Sequence, residues 1–332
     1  MTLMPHPADR NPSLGLGPLA LVVLTLLMGA SLPSARAIVI RDDVDDSLYT
    51  AAGQNEAFDP VVELLVHRSS GGTDRCSGVL IDGSWVLTAA HCVAGSNITG
   101  ITLTWDTSSG LDSVTRTATQ WFTHPDWTGH LFAGYDLGLI RLDSPVTSIT
   151  PATLYQPSDG SEQGQLAYLV GYGLTGTGST GALSGTGGVK RAATNKVDLF
   201  GSDTSNDPDP TGISQRIMLA DFDSSSGGDN ASGSPMPTSL EGIVATGDSG
   251  GGAFIEVDGV WKLAGINSFI ASVSGTPTSG YGDLAGITRV SQFNDWIVTS
   301  IPEPGTLMLL ALGSAMLAYR GGKQRILSRK RG

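Results

Sequence analysis

Ser249 sits between glycines in Gly247-Asp248-Ser249-Gly250-Gly251. Glycine lets a chain turn tightly and admits a substrate closely, because no Cβ stands in the way. Such a turn can also aim consecutive N–H groups at one point, where an oxyanion would form. A serine nucleophile needs a base beside it and a carboxylate behind the base. The chain holds five histidines: His6, His67, His91, His124 and His130. His91 ends the apolar run Val86-Leu87-Thr88-Ala89-Ala90-His91-Cys92, so a base placed there would be held rigidly. His67, His124 and His130 lie in ordinary polar contexts and read as solvated surface residues.

Residue order separates two chemistries that share this glycine pattern. Gly247–Gly251 also fits the G-x-S-x-G elbow of α/β-hydrolases, but in those enzymes the histidine follows the serine. Here every histidine precedes Ser249. The order histidine, aspartate, serine remains.

The elements that must position these groups read as strands. Short apolar or alternating runs recur between turn signals, at Val61–Val66, Gly78–Ile81, Trp85–Thr88, Ile101–Trp105, Leu137–Leu142, Leu166–Val170, Ala253–Val257 and Trp261–Phe269. That pattern indicates an all-β sandwich or barrel. Residues 41–60 read as acidic and irregular, and 172–188 and 201–240, rich in Gly, Ser, Thr, Asp and Pro, as long surface loops. Ser291–Ile301 reads as a helix capped by Ser291, with Phe293, Trp296, Ile297 and Ile301 on one face. Charged residues make up 15% of the chain and the net charge is −12. From Ile38 to Pro304 there are 30 acidic against 11 basic residues. Nucleic acid is thereby excluded as a partner, since phosphate binding needs a basic face. The acidity is read as solubility.

The two ends differ from the middle. Residues 1–37 have the form of a signal peptide: Arg10, an apolar Leu19–Leu27, and the small-x-small site Ala35-Arg36-Ala37. Cleavage after Ala37 would make Ile38-Val39-Ile40 the mature N-terminus. In an exported chain the only two cysteines, Cys76 and Cys92, suggest a disulfide, the alternative being two buried thiols. At the other end Pro302-Glu303-Pro304 breaks the helix. An uncharged apolar run, Gly305–Tyr319, follows, and then six basic residues.

Cys76-Ser77-Gly78-Val79-Leu80-Ile81 leading to Thr88-Ala89-Ala90-His91-Cys92 resembles the histidine segment of trypsin/chymotrypsin-like serine proteases. Tyr135-Asp136-Leu137-Gly138-Leu139-Ile140-Arg141-Leu142 resembles their aspartate strand. Gly171-Tyr172-Gly173 resembles the turn into a second barrel, and Gly247–Gly251 the serine loop. Ile287-Thr288-Arg289-Val290 with Asn294-Asp295-Trp296-Ile297 resembles the last strand and C-terminal helix. The resemblance covers residues 38–301. It implies two antiparallel six-stranded Greek-key barrels, a C-terminal helix and a site between the barrels. Peptide bonds would be cleaved by Ser249, with His91 as base, Asp136 orienting it, and the Gly247 and Ser249 N–H groups as oxyanion hole. It also implies that a new N-terminal ammonium at Ile38 pairs with Asp248, which signal-peptide cleavage would itself create.

For specificity, counting back from Ser249 puts Ile243 at the base of the primary pocket, and Ala245 stands where many members have a cysteine. Ser268-Phe269-Ile270 resembles the strand that pairs with substrate, with Ile270 narrowing the entrance. Small or medium apolar side chains are expected, not Lys or Arg. Residues 302–332 resemble a PEP-CTERM sorting signal with an apolar anchor helix and basic tail. That implies a Gram-negative bacterium, transient inner-membrane anchoring, an exosortase-type processing enzyme, and delivery to the cell surface or exopolysaccharide matrix; an uncleaved membrane anchor is the alternative. No cofactor or metal is implied. Asp221-Phe222-Asp223 and Asp229-Asn230 offer oxygen ligands without the spacing of a calcium loop, and read as a solvated acidic loop. The rival function is a catalytically inactive homologue acting as a matrix-binding or adhesive protein.

Overall fold

A computed structural model describes residues 37–110, 113–202, 212–273 and 275–301. The expected anchor helix and nearly all of the leader lie outside these residues. No helix among the described residues is long and apolar enough to cross a membrane.

The first half is a barrel built from β2 (Val61–Arg68), β3 (Thr73–Asp82), β4 (Trp85–Thr88), β5 (Ile98–Trp105), β6 (Val114–Thr123) and β7 (Gly138–Leu142). They follow β1 (Val39–Ile40) and the helix α1 (Asp46–Gly53), with the one-turn helix α2 (Ala90–Val93) after β4. Pairing runs β2-β3-β4-β7-β6-β5 and closes on itself, so no strand edge is left open. Leu64, Val66, Leu80, Leu87, Leu103 and Leu139 fill the interior. Trp105 is fully buried, and its Nε1–H donates to Pro60 O at 3.1 Å, as a buried indole requires.

The second half adds β8 (Thr153–Leu154), β9 (Leu166–Gly171), β10 (Thr175–Thr177), β11 (Gly181–Leu183), β12 (Arg191–Lys196), β13 (Leu199–Phe200), β14 (Ile217–Asp221), β15 (Gly242–Ile243), β16 (Gly252–Val257), β17 (Val260–Ser272), β18 (Asp283–Arg289) and the helix α3 (Asn294–Ser300). Seven strands run β12-β9-β16-β17-β18-β14-β13, with β8 against β17. The two sides of this sheet meet through a side chain. Asn195 Nδ2 on β12 donates to Asp221 O on β14 and to Gly242 O on β15. A four-stranded sheet, β11-β10-β1-β15, inserts the N-terminal strand between later segments.

Several elements depart from the sequence reading. The 41–60 stretch contains α1, because Asp45 caps it by accepting from Ser47 N at 2.8 Å and Asp46 lies in its first turn. Gly53 packs against the β12 backbone, where a Cβ would meet Arg191 Cα at 2.9 Å. The 201–240 stretch contains β14, buried along its whole length, and 172–188 contains β10 and β11. Ser291 does not cap α3. It is buried and donates through Oγ to Glu162, which also pairs with Arg289.

Candidate active site

Strand register brings His91 and Asp136 together. Thr88 on β4 pairs with Gly138 on β7, so the residues just after one face the residues just before the other. His91 stands on α2 three residues past Thr88, and Asp136 lies two before Gly138. Asp136 is fully buried. Its Oδ1 accepts from His91 N at 2.9 Å, and its Oδ2 lies 2.7 Å from His91 Nδ1. A ring nitrogen facing a carboxylate carries the proton, which leaves Nε2 as the acceptor. Cys92 is bonded to Cys76 on β3, so the expected disulfide fixes α2 to the barrel. Cys76, His91 and Cys92 also form a compact group of metal-ligand atoms among the described residues, but the sulfurs are committed to each other and are not thiolates.

The serine loop spans the segment between β15 and β16. Gly250 has φ +86°, and a Cβ there would meet Thr88 Oγ1 at 2.1 Å and Ser77 O at 2.2 Å. Gly247 has φ +97° and presses against Gly173. The N–H groups of Asp248, Gly250 and Gly251 donate to Ala245 O, Asn267 O and Asp248 O. Those of Gly247 and Ser249 have no acceptor among the described residues, which leaves two donors for an incoming oxygen. Ser249 Oγ has no hydrogen bond among the described residues. It shares with His91 a cavity of about 330 Å³, and nucleophile–base contacts are often loose in an empty site.

Two serines emerge as supports that the sequence reading leaves without such a role. Ser268 Oγ donates to Asp136 Oδ2 at 2.6 Å. Ser77 N donates to Ser249 O at 2.8 Å, and Ser77 Oγ to Gly247 O at 2.9 Å. Ser77 lies within the histidine segment, and its buried polar atoms had to find partners. His124 is also placed differently from its expected solvated role. It is buried among Tyr135, Phe293 and Trp296, and burial pushes its imidazole below the usual range. His67 is half-buried and His130 is exposed.

The cavity wall is Val244, Ala245 and Thr246 on one side and Ser268, Phe269 and Ile270 on the other, with Leu131 at the rim. Ile243 is not part of it. That residue pairs with Val39 through β15 and packs in the core of the second half. The wall therefore begins one residue later than counting suggests.

Ile38 and Asp248 are together. Ile38 N donates to Asp248 Oδ2 at 3.2 Å, and Asp248 also accepts from Gly173 N and Ala245 N. Complete burial pushes the Asp248 carboxyl up to about 7, while the three N–H donors pull the other way. Ile38 has φ +60°, a left-handed conformation that a β-branched residue adopts only under strain of order 1–3 kcal/mol. That torsion runs through the Ala37–Ile38 peptide bond and would vanish if the bond were cut.

Residues 52–297 match the family model described as Trypsin, and residues 300–325 match the PEP-CTERM protein-sorting motif. Chymotrypsin-like elastase family member 1 of Rattus norvegicus is 30% identical over 248 residues, covering 71% of this chain and 82% of the relative. Its Homo sapiens counterpart is 29% identical over 259 residues, covering 75% and 89%. A solved structure titled HL collagenase shares the fold, with a TM-score of 0.52 at 21% identity over 76% of this chain and 96% of that one. The family model covers residues 52–297, well over half of the chain, and the chain therefore belongs to the trypsin family: it is a trypsin-like serine protease with a C-terminal PEP-CTERM sorting motif.

Proposed function

We propose that the protein is an exported endopeptidase working through His91, Asp136 and Ser249. The observation that carries this is the buried Asp136 carboxylate holding His91 Nδ1 beside a cavity shared with Ser249. Asp136 keeps the imidazole in the tautomer whose Nε2 accepts the Ser249 proton. Ser249 Oγ attacks the peptide carbonyl, and the resulting oxyanion is received by the Gly247 and Ser249 N–H groups. The imidazolium returns its proton to the leaving amine, and water then hydrolyses the acyl-enzyme by the same steps.

The cavity favours small or medium apolar side chains beside the cleaved bond. Val244, Ala245 and Ile270 line it, and no acidic side chain does. The elastase names of the relatives support the same preference.

Residues 1–37 act as a signal peptide, and its removal creates the Ile38 ammonium. The buried Asp248 and the strained Ile38 torsion both support a cut at Ala37–Ile38. The C-terminal motif supports processing by an exosortase-type enzyme after transient inner-membrane anchoring, with delivery to the surface of a Gram-negative cell. Fluorophosphonate labelling of the processed protein, lost in Ser249→Ala, tests the catalytic assignment. Absence of labelling in protein shown to begin at Ile38 would refute it.

A further inference from the structure

The segment around Asp221 and Asp223 is not solvated. Asp221, Asp223 and Glu241 are 2%, 3% and 2% exposed, and with the half-buried Asp198 they line a cavity of about 120 Å³ between β12, β14 and the segment before β15. Among the described residues no lysine, arginine or histidine pairs with any of the four. The basic residue at the cavity, Lys196, is exposed. Buried carboxylates without a counter-charge are costly to ionise.

Three of the four are already fastened. Asp221 Oδ2 accepts from Ala231 N and Ser232 N, Glu241 accepts from Asp223 N and Thr238 N, and Asp198 Oδ2 accepts from Asp221 N. The Asp223 carboxylate is different. Its Oδ1 is buried without a partner among the described residues, and the residue, 3% exposed, lines the cavity wall. No three carboxylate oxygens here yet lie within reach of one ion. The Asp223 side chain, which no hydrogen bond fastens among the described residues, is the member freest to turn toward an ion.

We propose that this cavity is a Ca²⁺ site, with Asp223 as the recruiting ligand and Asp198, Asp221 and Glu241 completing its negative surround. Lys196 and Met236 also line the cavity, but its anionic donors are all carboxylate oxygens, with the Ser234 and Thr238 hydroxyls beside them and no histidine or cysteine, which suits a hard cation better than zinc or copper. The irregular spread of donors suits calcium, which accepts variable geometry, better than magnesium, which demands an octahedron. A bound ion would tie the 221–241 segment to β12 and supply the missing positive charge. The site is independent of the peptidase chemistry, so it is tested in Ser249→Ala protein, which cannot digest itself.

Thermal unfolding of that protein, stripped with chelator, is followed with CaCl₂ or MgCl₂ added. At calcium tenfold above its dissociation constant the midpoint should rise by about 3–5 °C, and magnesium should not reproduce the rise. Asp223→Asn should abolish the calcium shift while leaving the ion-free midpoint equal or higher, since it removes an unpaired buried carboxylate. Glu256→Gln, at an exposed position on β16, should keep the shift. No calcium-dependent rise in the parent, an undiminished rise in Asp223→Asn, or loss of the rise in Glu256→Gln would overturn the assignment.

Discussion

The backbone nitrogen of Ile38 lies 3.2 Å from Asp248 Oδ2, in a fully buried contact between residues 210 positions apart. In the uncut chain that nitrogen is a neutral amide. In a chain beginning at Ile38 it is an ammonium, and the same position then carries the full opposite charge.

This difference predicts different pH behaviour for the two forms. In the uncut chain Asp248 titrates near 7, above its ordinary value of 3.8. The folded state then holds more protons than the unfolded state between those values, so stability falls as pH rises from about 4 to 7, by a few kcal/mol. With the ammonium in place Asp248 stays ionised and that fall disappears. Thermal midpoints of Ser249→Ala protein with and without residues preceding Ile38, measured from pH 4 to 7, will show a steeper fall in the longer form, the buried carboxyls common to both forms contributing equally to each.

In the proposed mechanism Ser268 acts as a positioning residue. Its hydroxyl is one of three donors to Asp136, and hydrogen bonds to charged groups contribute about 1.5–3 kcal/mol. Ser268→Ala should lower kcat about 10–100-fold with KM little changed. A pH–rate profile with its acid limb displaced from the parent's would separate this from general destabilisation, because the same carboxylate sets the imidazole's basicity. Asp136→Asn should cost more, about 10⁴-fold, because it inverts the hydrogen-bonding demand on Nδ1.

Gly250→Ala should eliminate activity. The added methyl would collide with Thr88 Oγ1 and Ser77 O, and the backbone angle of +86° is unfavourable to any side chain. Loss of fluorophosphonate labelling together with a lower unfolding midpoint is the expected result. Gly72→Ala, at an exposed turn where a Cβ meets Ser70 Oγ at an ordinary 3.7 Å, serves as the neutral comparison.

Ile270→Gly should widen the cavity mouth. Larger aromatic side chains beside the cleaved bond should then be accepted, raising their kcat/KM relative to alanine by about tenfold, the scale of one or two buried methylenes. Peptide-library profiling of parent and variant reads this directly.

The meeting of His91 and Asp136 was legible because both are flanked by apolar strand sequence that fixes their place. Thr88 and Gly138 are paired neighbours, and His91 and Asp136 follow from that pairing. The support from Ser268 was not legible, since nothing in its flanking residues announces which way the hydroxyl turns. β14 escaped notice because Ile217–Asp221 is buried throughout, shows no alternation, and lies in a stretch dominated by Gly, Ser, Asp and Pro. Helix α1 was hidden by its own caps, the acidic residues that make 41–60 look irregular. Asp221 and Asp223 look solvated in sequence. Only the folding of β12 and Glu241 over them takes them from water.

Ser77 belongs to β3 of the first barrel, yet its N–H and hydroxyl hold the carbonyls of Ser249 and Gly247. Ser249, although it comes late in the chain, is thereby moored to the same barrel that carries His91. Recombining the halves of two such enzymes would therefore transplant more than a pocket wall. A hybrid joined between β7 and β9 should keep its reactivity only where one parent's Ser77 still holds the carbonyls of the other parent's serine loop.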